Sequence, residues 1–90
     1  MTLYARGEVD LSVVQRHAHL LAAHQGSIDA VDVREVTFVD CSGVAMLQGL
    51  RAALPPGTGL TIRGTHHGGP VHDLLTILGL RPHFVFTHER

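Results

Sequence analysis

Asp40, Cys41 and Ser42 set a carboxylate, a thiol and a hydroxyl on consecutive residues, closed by Gly43. An apolar run, Val36 to Val39, leads into them. Apolar residues then recur at helical spacing from Val44 through Leu47 to Leu54, so the stretch reads as strand, tight turn and helix. The turn gathers the Ser42 hydroxyl and the first free N–H groups of the helix, whose dipoles favour negative charge. A serine there could carry a phosphate. The commoner role of such a serine is a helix cap, and Asp40 could cap or close the turn instead.

Catalysis is a poor fit. Residues 40 to 44 are Asp-Cys-Ser-Gly-Val, not the Gly-x-Ser-x-Gly of a nucleophile elbow. No Gly-Lys-Ser/Thr phosphate loop exists. Leu47 stands where a cysteine phosphatase loop starting at Cys41 would need arginine. No motif supplies nucleophile, base and orienter together, so a non-enzyme is expected. Cys41 reads as a small packing residue, and as the only cysteine it excludes an internal disulfide.

Eight histidines invite a metal reading, with His66, His67 and His72 closest together. Only Asp73 adds another ligand type nearby, so the expectation is a solvated loop, with no metal and no cofactor. His17 and His24 fall on a helix face with leucines, where packing or edge positions explain them.

The surrounding elements follow from periodicity. Residues 2 to 9 alternate as a strand. A helix capped by Asp10 or Ser12 follows, with Val13, Val14, His17, Leu20, Leu21 and His24 on one face and Gly26 as its stop. Residues 28 to 33 resume alternation. Apolar parity then slips between Val33 and Val36, which predicts a turn or bulge at Arg34-Glu35 and a strand ending near Val33. The helix over 43–54 gives way to Pro55-Pro56-Gly57-Thr58-Gly59, a loop. Residues 60 to 63 form a short strand ended by Gly64. Pro70 opens a helix with Val71, Leu74, Leu75 and Leu78 on one face, ended by Gly79, and residues 83 to 87 form the last strand.

The alternation β-α-β-α-β-α-β predicts a small α/β domain over 1–90: a mostly parallel four-stranded sheet with three helices. Loops at Asp10, Asp40–Gly43 and Gly64–Gly69 should then share the carboxyl-end rim. Ninety residues hold one thin core, burying about 60 to 65% of the unfolded surface. All seven basic residues are arginine, scattered along the chain, and the net charge is −1. No basic stripe points to nucleic acid or membrane. No secretory signal or bilayer-length apolar run is visible, so a soluble, cytoplasmic protein is expected.

Three pieces in order resemble the STAS domain of the anti-sigma factor antagonists. Gly7-Glu8-Val9-Asp10 is similar to that family's turn into its first helix. Val31 to Val44, with Asp40-Cys41-Ser42-Gly43 at its end, is similar to its central Asp-Ser-Ser-Gly signature, with Cys41 where serine is common. Ile77-Leu78-Gly79-Leu80 is similar to its late helix end. The resemblance implies a docking protein. The serine before the glycine, Ser42 here, is phosphorylated by an anti-sigma factor that is a serine kinase of the histidine-kinase-like ATPase type. The unmodified form binds that partner, phosphorylation abolishes binding, and a serine phosphatase restores it. Asp10, Asp40, Cys41, Ser42 and Gly43 are the implied partner-binding residues, with Asp10 either positioning the kinase or capping its helix. The alternative is a STAS subunit bracing an ABC-type phospholipid transport ATPase, or another non-catalytic STAS module; threonine is common at the Ser42 position in the transporter type. Compared with the family, the first edge strand and the last helix are not found here. The exposed edge so implied invites pairing with another chain, a second copy included.

Overall fold

A computed structural model describes residues 1–88. Strand β1 (Thr2–Val9), helices α1 (Leu11–Arg16) and α2 (Ala18–Ala23), strand β2 (Ala30–Val39), helix α3 (Cys41–Ala52), strand β3 (Thr61–Thr65), helix α4 (Pro70–Ile77), a 3-10 turn (Arg81–His83) and strand β4 (Val85–His88) follow in chain order. The strands lie side by side as β1-β2-β3-β4, and every neighbouring pair is parallel.

That order decides which way the sheet faces. Right-handed crossovers between successive neighbours stack every helix on the same side. The side chains agree. Leu3, Val31, Ile62 and Phe86 form one row across the sheet, buried or half-buried in the core. The next row, Tyr4, Asp32, Arg63 and Thr87, turns the other way and stays polar. Val31, Leu60, Ile62 and Leu75 are the large side chains sealed completely from water. They mark the core's centre, between the middle strands and α4.

Four expectations are corrected. The first helix is two, giving four in all. At His17 the backbone leaves helical geometry (φ −104°, ψ 10°), and the His17 ring nitrogen Nδ1 lies 2.9 Å from the Val13 carbonyl oxygen. Neither half contains a fully buried residue, so tertiary packing does little to hold this stretch straight.

The second strand does not end at Val33. It runs to Val39 through two irregularities, because Tyr4 and Arg6 face Asp32 and Glu35, while Gly7 and Glu8 face Val36 and Phe38. Each places an extra residue on β2, as in a β-bulge. At the first, the Asp32 carboxylate accepts from the Arg34 N–H at 3.0 Å, supplying locally a partner for a backbone donor next to the ladder's break. The parity slip therefore marks a bulge within a strand.

In β3, Gly64 is not a stop but sits inside the strand at φ 78°, where a Cβ would lie 3.0 Å from that of Arg34. Only glycine suits both constraints. The last strand starts later than expected, because Pro82 and His83 belong to the 3-10 turn.

Candidate functional site

Strands β1 and β2 finish level. Val9 pairs with Val39, and the Asp40 N–H donates to the Val9 carbonyl at 3.3 Å. Each strand then passes to an extended aspartate that caps the following helix. Asp10 Oδ1 accepts from the Val13 N–H at 3.0 Å. Asp40 Oδ1 accepts from two donors, Ser42 N–H at 2.9 Å and Gly43 N–H at 3.2 Å. Two carboxylates thus lock two neighbouring helix starts onto one rim. Of the two readings of Asp10, the capping geometry is present.

This division of labour matters for Ser42. Asp40 is the cap, so α3 begins at Cys41, two residues before the expected start, and Ser42 is the second helical residue. Its N–H is satisfied by Asp40, and it is half-buried. Among the described residues its hydroxyl makes no hydrogen bond. The hydroxyl is spare, next to a helix N-terminus.

Gly43 fixes how closely that helix approaches the strands. A Cβ there would stand 2.6 Å from Val39 Cγ2 and 2.9 Å from the Val9 carbonyl oxygen. Gly43, Val44, Leu47 and Leu50 form the buried stripe of α3. Cys41 lies outside that stripe and is exposed, which corrects its reading as a packing residue.

The third loop is not level with these two. Pairing between β2 and β3 stops at Asp32 and Arg63, seven residues before Val39. Residues His66 to Gly69 therefore lie further back along the sheet. Nor are all three histidines there solvated. His66 and His67 are exposed, but His72 belongs to the buried face of α4 with Val71 and Leu75. Its ring meets that of His67 edge-on at 4.8 Å, and its Nδ1 lies 3.6 Å from Asp73 Oδ1. Among the described residues, no three His, Cys, Asp or Glu side chains come together as a metal set. His17 is exposed and His24 half-buried, consistent with edge positions.

Two residues near the rim were not singled out by sequence. Leu11, directly after Asp10, is 53% exposed, and Phe38, two residues before Asp40, is 49% exposed. The bulged register turns Phe38 to the polar face opposite Glu8, and only the coordinates locate the second irregularity. Among the described residues no helix is long and apolar enough to cross a membrane. No protein-family model matches the chain, and no curated protein matches it.

Proposed function

We propose that the chain is a STAS-type docking protein, an anti-sigma factor antagonist that binds its anti-sigma factor kinase unmodified and releases it when Ser42 is phosphorylated. The observation that carries the reading is the spare hydroxyl of Ser42, held at the start of α3 while Asp40 does the capping. A modified serine that also held the helix would sacrifice the helix when charged. Here the two tasks fall to different residues.

The physics of the switch follows. Phosphate adds roughly −1.5 to −2 charges and three acceptor oxygens. The α3 N-terminus favours that charge, although the phosphate and the Asp40 carboxylate then compete for the same N–H groups. The fold tolerates the addition. A partner resting on Leu11, Phe38 and the Asp40–Gly43 turn meets a new charge in the middle of its contact, with a desolvation cost. Asp10 and Asp40 shape the surface, Cys41 offers exposed contact, and Gly43 sets its height. Neither a catalytic role nor a cofactor enters this reading.

The test uses serine kinases of the histidine-kinase-like ATPase type from the same genome. The chain is incubated with each and ATP, then weighed by intact mass and assayed for binding. A single phosphate lost in Ser42→Ala, tight binding by Ser42→Ala and weak binding by folded Ser42→Asp are expected. Equal binding by Ser42→Ala and folded Ser42→Asp contradicts the proposal.

A further inference from the structure

The chain between β1 and β2 is firmly anchored only at its ends. At the first, Asp10 Oδ1 holds the Val13 N–H, and the Val9 carbonyl just before accepts from Asp40 N–H. At the second, Ile28 is buried and the Asp29 N–H donates to the Met1 carbonyl at 3.1 Å. Between these points α1 and α2 run six residues each, well short of the roughly 12–15 that a helix needs to hold itself in water. Neither contains a buried residue, and their inner face offers only the half-buried Val13, Val14 and Leu21.

Open space flanks the segment on both sides. Toward β1 lies a groove of about 390 Å³, lined by Leu3, Ala5, Val14, Leu21 and Met46 among others. Toward α3 lies a second of about 250 Å³, with Ala18, Ala22, Gly49 and Leu50 in its walls. Val14, Leu21 and Met46 border both grooves, so the segment rests on the domain along a narrow apolar seam. Val31, Leu60, Ile62 and Leu75, the large side chains sealed completely from water, line neither groove.

We infer that residues 11–26 form a strap that lifts off as one unit while the four strands, α3 and α4 stay folded. Lifting gives up only the seam, and it releases the backbone freedom of the whole strap. The sealed centre of the core is left closed. What opens is an apolar floor made of Leu3 and Ala5 on β1 and Met46 on α3. Segments with few buried apolar contacts are the ones that open below the global unfolding free energy. Leu11 begins the strap, so a partner on the rim proposed above meets that residue in place only while the strap is down. The opening itself does not depend on the role proposed for Ser42.

Amide hydrogen exchange of the unaltered chain, followed by mass spectrometry in urea below the unfolding midpoint, tests this. Amides of residues 14–24 should exchange through one common opening, about a hundredfold or more faster than those of residues 44–50. Their urea dependence should be weaker, because a lifted strap exposes less surface than an unfolded chain. Leu47→Ala separates local opening from global unfolding, since Leu47 is buried in α3 and lines neither groove. It should speed exchange in α3 at least about thirtyfold, while a strap that opens on its own keeps its rate. Should Leu47→Ala not fold, Ile62→Val in β3 makes the same comparison at about two- to tenfold. Strap amides as slow as those of α3, or quickened along with them in the variant, overturn the inference. So does exchange in 14–24 with no urea dependence at all, which is fraying residue by residue and not the lifting of a unit.

Discussion

Helix α3 and the α1–α2 segment both follow strands that end on the same rim, and both begin with an aspartate cap. They differ in what lies beneath them. α3 runs twelve residues with four of them buried, and its first turn touches the strands through Gly43. The α1–α2 segment breaks at His17 and contains no fully buried residue. A cap and an amphipathic pattern start a helix, but burial decides whether it stays in one piece. The proposed switch residue sits on the anchored helix. A site that must present one hydroxyl in a fixed place needs such an anchor.

Exchanging large for small side chains should break the symmetry most plainly. Leu47→Ala in α3 should cost about 2–5 kcal/mol, the range for a buried leucine. Leu20→Ala in α2, at 52% exposure, should stay within about 0.5 kcal/mol. Urea unfolding measures both. Equal losses would mean that α2 is anchored as firmly as α3.

Two glycines sharpen the contrast within α3 itself. Gly43→Ala forces a Cβ into the Val39 and Val9 contacts and should cost about 1–3 kcal/mol through overpacking. A Cβ at Gly49 meets nothing within 4 Å, so Gly49→Ala should stabilise by about 0.5–1 kcal/mol. Opposite shifts of the urea midpoint are expected. A neutral Gly43→Ala would mean that the first turn does not press on the strands.

The smallest effect lies at the start of β1. The chain's terminal ammonium donates to Asp29 Oδ1 at 3.0 Å and to the Ser27 carbonyl at 2.8 Å. That hydrogen bond, and then the ammonium's charge, hold the Asp29 carboxyl below its ordinary value of 3.8. A carboxyl with a lowered folded pKa contributes stability above its unfolded pKa and loses it as pH falls through the folded one. The contribution should therefore be present at neutral pH and vanish below the carboxylate range. Acetylating the terminus should remove it at neutral pH. Unfolding midpoints of acetylated and free chains should differ slightly at neutral pH and converge in acid; a gap that persists in acid would point elsewhere.

The sequence made the central turn legible because its signals are local. Short polar residues between a β-branched run and a helical repeat leave few alternatives, and Asp40 and Ser42 are the two caps they offer. The parallel sheet followed from alternation alone. Three features needed the coordinates. Parity at Val33 to Val36 shows that the faces reverse, but a bulge and a strand end leave the same mark. His72 carries the polarity of the loop before it, while its place beside Val71 on α4 buries it. The break at His17 lies in a stretch whose apolar spacing is regular, and it reflects packing that is absent rather than a residue that is present.

Asp40, not Ser42, holds the start of α3. Urea unfolding of Asp40→Ala and Ser42→Asp, side by side, tests this most directly. Asp40→Ala should lose about 1–2 kcal/mol with its cap. Ser42→Asp should remain folded, with a stability change within about 1 kcal/mol, since an acidic residue in the first helical turn is compatible with the dipole. Unfolding of Ser42→Asp, together with an unaffected Asp40→Ala, would show that the serine is the cap and that its hydroxyl is not free to be charged.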